Sequence, residues 1–471
     1  MADESPMQDE VQTAARIIRR LLKRNPALQL RILCMLHGEG SDVVDLRMQP
    51  LRYSGALALA LALKHPVNTR ILKLAQTYIN DRGVLAIAHV LSTNTSVTVL
   101  DLSNNSISDA GAEHLANALQ ANSTLKDLSL WRNSIGSAGA RAIWTALEHN
   151  STLKRLSLQG NNLQDQGVAD IARALHSCSR LAHLNLSCCS IGAAGAQAIA
   201  NAIGSAPALR HLNLYGNSLT WKGAEALAAT LCRSSSITVL NLFSTDLGVE
   251  GAKAMAPVLV HNQVITHLFL GGNQFGDAGA EAIARGLLRN TSVQQLNLWN
   301  NDIGDDGAIA LAGALTRNRT ISECDVSGNS FGDIGGRALL AVLASDSHNL
   351  ARLDCFNVRI ASSDLFAHAL AIAHHQHSAV VTTFTASVPP AVCVCVFVFV
   401  CVCVCGCACS LCVFVCVCVC VCVCVCVCVC VCVCVCVCAC VCACVCVSVF
   451  VWAQHPPHPA HTSQEPLLYY Q

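Results

Sequence analysis

The stretch LKDLSLWRNSIGSAGARAIWTALEHNST, residues 125–152, holds two hydrophobic rhythms in succession. In its first half Leu128 and Leu130 stand two apart, the spacing that sends side chains to one face of a strand, while Asp127, Ser129 and Trp131 fall on the other. In its second half Ile143 and Leu147 stand four apart, the spacing of one helix face. The stretch therefore reads as a short strand with one core face and one free face, followed by a helix.

Outward from there the same pattern returns with a period of 28, at Ser41, Thr69, Val97, Leu125, Leu153, Leu181, Leu209, Ile237, Ile265, Val293 and Ile321. A further, degraded copy starts one residue late at Leu350, as suits a terminal unit. Helix pairs equivalent to Ile143 and Leu147 recur as Leu115 and Leu119, Ile171 and Leu175, and Ile283 and Leu287, with Ala at most other inner positions. A glycine precedes each helix (Gly83, Gly111, Gly139, Gly167 and onward), which implies a tight turn or a close approach of helix to strand. Asn105, Asn133, Asn161, Asn217, Asn273, Asn301 and Asn329 form a ladder, with Thr77, Cys189 and Thr245 substituting; a side-chain amide there can satisfy backbone groups where the strand bends away. One strand and one helix per unit, joined by right-handed crossovers, predict an α/β solenoid with a parallel sheet on the concave side and helices outside. Helices are wider than the roughly 4.8 Å between strands, so the stack must curve.

LxxLxLxxNxI followed by GaxaLaxaL at this spacing resembles the ribonuclease-inhibitor-like class of leucine-rich repeats, and especially the arrays of nucleotide-binding leucine-rich-repeat receptors, over about residues 41–357. The resemblance implies a protein-binding horseshoe. It is weaker on activity, because the class hosts inhibitors, innate sensors, actin-pointed-end proteins and Ran GTPase-activating proteins alike. Those receptors carry a nucleotide-binding module ahead of the repeats; no GxxxxGKS or GxxxxGKT occurs here, so ATP-driven switching is not expected.

Lys plus Arg and Asp plus Glu number 30 each, so no global field favours nucleic acid or an acidic membrane. The opening MADESPMQDE is acidic and polar, the reverse of a secretory leader, and a cytoplasmic location is expected. Of 31 cysteines, 24 sit in a Val-Cys alternation between Cys393 and Cys446. The others, Cys34, Cys178, Cys188, Cys189, Cys232, Cys324 and Cys355, lack CxxC spacing and read as reduced thiols filling small buried sites.

Four segments result. Residues 1–40 form a helical cap in which Val11, Ala15, Ile18, Leu21 and Leu22 share a face and Pro26 opens a second helix. The basic cluster Arg19, Arg20, Lys23 and Arg24 reads as a solvated face or as an import or anionic-surface signal. Residues 41–360 are the array, and residues 361–378 a capping helix whose His374, His375 and His377 read as a frayed end rather than a metal tract. Residues 379–471 are a low-complexity tail, open to reading as a membrane segment, as an aggregation-prone strand, or as a translated GT tract, since GTG and TGT encode Val and Cys. Disorder or a translation artefact is the expectation there, and no membrane role follows unless the tail is real.

The free face presents three columns of side chains. The seventh motif position carries Trp131, Tyr215, Phe243, Trp299 and Phe356, large aromatics that core burial does not require on a surface facing water. From Trp131 to Trp299 is roughly 29 Å at six strand spacings, which suits a protein partner more than a metabolite. Arg132 and Phe269 join the candidate patch, so the partner-binding residues are Trp131, Arg132, Tyr215, Phe243, Phe269 and Trp299. The competing reading has the aromatics packing on one another. In the third column His183 and His211 lie on adjacent strands and His267 two further on, too few ligands for zinc but able to make binding pH-sensitive. The NxT and NxS triplets at Asn94, Asn122, Asn150, Asn290 and Asn318 share one phase and read as turn chemistry rather than glycan acceptors. Nucleophile elbows and HExxH are absent from the sequence, and no cofactor or metal is expected. The expectation is a monomeric, non-catalytic module that binds a protein partner and no nucleic acid, as a scaffold or regulator in signalling or innate sensing; a Ran-type GTPase-activating protein is the alternative.

Overall fold

A computed structural model describes residues 6–37, 42–65, 68–233, 236–343, 349–358, 381–386, 392–403 and 412–423. Two helices come first, α1 (Pro6–Leu21) and α2 (Pro26–Leu36). Strand and helix then alternate: β1 (Val43–Asp45), α3 (Arg52–Leu63), β2 (Ile71–Lys73), α4 (Asp81–Leu91), β3 (Val99–Asp101), α5 (Asp109–Ala121), β4 (Asp127–Ser129) and α6 (Ser137–Leu147). Next are β5 (Arg155–Ser157), α7 (Gln164–Val168), α8 (Ile171–Ser177), β6 (His183–Asn185), α9 (Ala193–Ile203), β7 (His211–Asn213), α10 (Thr220–Leu231), β8 (Val239–Asn241) and α11 (Gly248–His261). The array ends with β9 (His267–Phe269), α12 (Gly276–Leu287), β10 (Gln295–Asn297), α13 (Asp305–Arg317), β11 (Glu323–Asp325), α14 (Asp333–Leu343) and β12 (Arg352–Val358), followed by β13 (Val381–Ala386), β14 (Val392–Cys403) and β15 (Cys412–Val423).

Strands β1 to β13 form a parallel sheet in chain order. Leu100 pairs with Leu128 and Leu128 with Leu156, the 28-residue step seen in sequence, while Cys324 pairs with Leu353, the late copy. The fold is the expected α/β repeat solenoid. Leu128, Leu130, Ile143 and Leu147 are buried in a continuous core that also takes in Ala15, Ile18 and Leu22 of α1. Helix α2 opens on Pro26, and Asn25 Oδ1 accepts the Leu28 N–H at 3.1 Å.

The side-chain amides stitch each unit to the one before it. Asn273 Oδ1 accepts the N–H groups of Thr245 and Leu247 in the preceding repeat, while its Nδ2 donates to the carbonyls of Leu242, Leu270 and Gly271. At the other end of helices α4 to α6 and α11 to α13 a second ladder runs. Asn122 Nδ2 donates to Leu91 O at 2.7 Å, and its Oδ1 accepts the Thr124 and Leu125 N–H groups. Asn122, Asn150, Asn290 and Asn318 are buried in these turns, which leaves no room for a glycan.

The helix-starting glycines have a different cause from the expected approach to a strand. A Cβ on Gly139 would lie 2.6 Å from Asp109 Oδ1 and 2.9 Å from Ala112 Cβ, both on the preceding helix. That carboxylate accepts the Gly136 and Gly139 N–H groups at 2.6 and 2.9 Å, so it caps the next helix. Asp81, Asp165, Asp277 and Asp305 do the same for α5, α9, α13 and α14. The device decides the loop. With the aspartate present, the residue before the helix is extended, as at Ser108, Gly136, Gly192 and Gly304. With Ser137, Ala193, Trp221 or Val249 in that place, the following loop turns instead through positive φ at Gln164, Thr220, Gly248 or Gly276, and the helix starts there.

One helix is broken. Trp144 is fully buried where all but one of the other repeats place alanine, as at Ala116 and Ala200, the exception being Leu340. Its indole Nε1 donates to Gly167 O at 2.5 Å, the carbonyl that an unbroken helix would offer to the Ile171 N–H, and α7 and α8 part at this point.

The chain divides into two compact units, residues 1–387 with 396–418 and residues 388–395 with 419–471. The expected capping helix over 361–378 lies outside the described residues. Within the tail, read as disordered or an artefact, β13 joins the main sheet while β14 and β15 pair with each other. Alternating β-branched Val gives that part of the tail a strand's period.

Candidate functional site

The strand-lined face carries the three expected columns, and its seventh column divides into two groups. In the first, Trp131 is half-buried, with the exposed Arg132 guanidinium 5.6 Å from its ring centroid. Arg132 sits at φ 51°, in the left-handed turn that follows each strand. Gln159 and Ser187 then intervene, so this pair lies about 14 Å, three strand spacings, from the second group.

In the second group Tyr215 meets Phe243 at 5.6 Å between ring centroids, and Phe243 meets Trp299 at 5.5 Å with the rings 20° apart. Phe243 and Trp299 belong to units two apart, and Gly271 of the intervening unit makes their contact possible. A Cβ there would lie 2.7 Å from Phe243 Cδ2 and 2.7 Å from Asn297 Oδ1. Phe243 therefore does not stand free as expected; it is 7% exposed and forms a floor between half-buried Tyr215 and Trp299. Phe269, also half-buried, is in register with Asn241 and Asn297 in the neighbouring column. The side chain of Phe356 lies outside the described residues.

The fifth column fixes the backbone beneath these rings. Asn213, Asn241 and Asn297 each accept, through Oδ1, the N–H two residues on, at Tyr215, Phe243 and Trp299. Asn185 Nδ2 donates to Gln159 Oε1 and Asn297 Nδ2 to Asp325 Oδ2. Among the described residues the side chains of Asn213 and Asn241 make hydrogen bonds through Oδ1, and neither Nδ2 donates one. In sequence this column, with Asn185, Asn213, Asn241, Asn297 and Asp325, reads as a polar run that supplies hydrogen-bonding groups beside the aromatics; the structure shows that three of these Asn, each two residues before an aromatic of the second group, also hold that aromatic's backbone.

In the third column the His183 and His211 rings lie 4.0 Å apart between centroids. Burial, then repulsion from His211 and Arg155, holds His183 below the ordinary imidazole range; burial, then His267, does the same for His211. Thr266 Oγ1 lies 2.8 Å from His267 Nδ1. Arg155 reaches Asp127 at 2.6 Å across β4 and β5. Among the described residues no group of three or more His, Cys, Asp or Glu is placed to hold a metal ion, and no helix is long and apolar enough to cross a membrane. The seven cysteines outside the tail form no disulfide; Cys178, Cys189, Cys324 and Cys355 are buried, and burial pushes the Cys189 thiol up to about 12. Cys189 stands in the Asn ladder and its Sγ donates to Leu158 O, a packing role rather than a nucleophile's.

Comparison with family models fits this repeat architecture. A family model described as the TMOD/LMOD leucine-rich domain matches residues 48–166. A second, described as leucine rich repeat, matches residues 177–200, 206–228, 233–256, 261–284 and 289–312. No curated protein matches the chain. Among solved structures, an internalin (inlF) of Listeria monocytogenes str. 4b F2365 is 17% identical over 75% of this chain and 92% of its own, at a TM-score of 0.44. A chain of the yeast Rad7 and Elc1 complex is 16% identical over 76% of this chain and 90% of its own, also at 0.44. The leiomodin-1 actin-binding site 2 structure is 21% identical over 34% of this chain and 78% of its own, at 0.25.

Proposed function

For a chain built of leucine-rich repeats, we propose a non-catalytic role in which the strand-lined face binds a folded protein partner in the cytoplasm. The reading extends to the ribonuclease-inhibitor-like class, with a repeat array like those of nucleotide-binding receptors and a part in signalling or scaffolding. One observation carries it: Tyr215, Phe243 and Trp299 form a continuous aromatic run over Gly271, bordered by the uncommitted amides of Asn213 and Asn241. Half-buried aromatics beside free hydrogen-bond donors are the usual makeup of an interface anchor, where truncation costs about 2 kcal/mol or more. Phe243 serves as support, while Tyr215, Trp299, Phe269 and the separate Trp131–Arg132 pair make contact.

Affinity capture from cytosol, with wild type beside Tyr215→Ala/Trp299→Ala and Trp131→Ala, tests this. Specific partners should be lost from the double variant and weakened by the single one. Retention of every partner by the double variant removes the aromatic run from the reading. Stimulated GTP hydrolysis by small GTPases in the same fractions would favour the Ran-type alternative instead.

A further inference from the structure

We infer that the fifth unit, residues 153–180, is a joint: its helical segment opens locally while the units on either side stay folded, which uncouples the block before it from the block after it. Three kinds of stitch hold neighbouring units together: the forward-reaching aspartate, the ladder amide at the strand end, and the second-ladder amide at the helix end. Both boundaries of the fifth unit lack two of the three. Toward the fourth unit the aspartate is missing, because Ser137 stands where Asp81 and Asp109 stand in earlier units, and α7 starts without a side-chain cap. Cys178 replaces the second-ladder asparagine at the same boundary. Its sulfur faces the Arg180 and Leu181 N–H groups, but it has no amide to donate to Leu147 O and Asn150 O, the counterparts of the carbonyls that Asn122 and Asn150 take. Toward the sixth unit Ala206 brings no polar side chain to the second ladder. In the first ladder Cys189 lacks the oxygen with which Asn217, one unit on, accepts the Cys189 and Ile191 N–H groups.

The helix of this unit is also in pieces. Segments α7 and α8 have five and seven residues, where the other helices of the array have 11 to 14, and pieces so short hold their shape only through packing. At the break Gly167 O is taken by the Trp144 indole, and the Ala169 N–H reaches Gln166 O at 3.4 Å. What braces the break lies in solvent. Asp170 pairs with Arg141 of α6 at 3.4 Å and with Arg173 at 2.9 Å, and Arg173 pairs with Glu148 at 3.4 Å. Both arginine side chains are more than half exposed, so dissolved salt screens these pairs. The boundary between the seventh and eighth units also loses two stitches, to Trp221 and Thr245, yet there Asn262 and the unbroken α10 and α11 remain. The joint lies between Trp131–Arg132 in the fourth unit and Tyr215 in the seventh, so a partner touching both groups spans it; the joint itself does not rest on that reading.

Hydrogen–deuterium exchange of the full chain, read by mass spectrometry, tests the inference. Amides of residues 164–177 should exchange roughly tenfold faster than those of α5 and α13, helices that have both an aspartate at the start and an asparagine at the end. Raising NaCl to about 1 M should widen that gap. Cys178→Asn, which restores the missing amide, should slow exchange over 164–177 by about threefold to tenfold. Asp170→Asn, a surface change that frees both arginines, should quicken it by about two- to fivefold and keeps the test open should the buried substitution misfold, with circular dichroism as the check. Neither variant should alter α5 or α13. Equal exchange in all three regions of the wild type, or folded variants that leave 164–177 unchanged or shift α5 and α13 to the same degree, would overturn it.

Discussion

Replacing Gly271 with alanine probes the aromatic run at the point that permits it. The new methyl would sit 2.7 Å from Phe243 Cδ2 and 2.7 Å from Asn297 Oδ1, inside van der Waals range of both. Forcing the Phe243 ring aside costs about 1–3 kcal/mol by analogy with overpacked cores. Loss of its contact with Trp299 adds about 0.5–1.5 kcal/mol. Against these stands the gain from a less flexible unfolded chain, about 0.4–1 kcal/mol, so overpacking wins and Gly271→Ala should destabilise by about 1–3 kcal/mol. Repeat arrays can open regionally, so urea midpoints are best read together with amide exchange at β9 and β10, where protection should fall first. Phe243→Ala in the same chain empties the contested space, so the double variant should cost clearly less than the two single changes summed. Additive costs, or an unchanged midpoint for Gly271→Ala, would refute the slot.

Other outcomes follow from the ladders and the histidines. Asn273→Ala strips the Thr245 and Leu247 N–H groups and three carbonyls of a buried partner, so a loss of about 3 kcal/mol or more is expected by denaturant titration; Asn273→Asp, which keeps the acceptor but sets a carboxylate oxygen against the three carbonyls, should lose at least as much. Asp277→Ala should cost about 1–2 kcal/mol and raise amide exchange at Gly304 and Gly307. His183 and His211 titrate below their unfolded value of 6.5. Their neutral forms favour the fold, so this contribution is complete above that pH and is lost as the pH falls through the folded values. The urea midpoint should therefore drop between pH 7 and pH 5, and His183→Gln/His211→Gln should flatten the drop; an equal drop in that variant would assign it to other groups.

Sequence rhythm made the strand–helix unit legible because each half is defined by nearest neighbours: Leu128 with Leu130, Ile143 with Leu147. What escaped it depends on pairs about 30 residues apart. Gly139 looks like a turn residue until Asp109 is set beside it. Trp144 looks like one more apolar helix residue, yet it takes a carbonyl from the next repeat and splits that helix. Phe243 reads as exposed because its column faces outward, and only the missing side chain of Gly271, one unit on, shows where its ring can lie. A Gly beside aromatics in the same column was the available clue. The column of Asp81, Asp109, Asp165, Asp277 and Asp305 was equally visible, and only backbone donors in the following unit reveal its purpose.

The carboxylates reach forward to the following unit, whereas the ladder amides reach back, so every boundary that has both is sewn from opposite sides. Trimming the array is therefore asymmetric. Cutting just before α13 would strip that helix of the anion at its start, while cutting after α12 would leave the loops ahead of it without the amide oxygens that Asn301 supplies. Shortened versions should need an acceptor aspartate engineered at the front and an asparagine-bearing turn retained at the back, two unlike repairs for two unlike wounds.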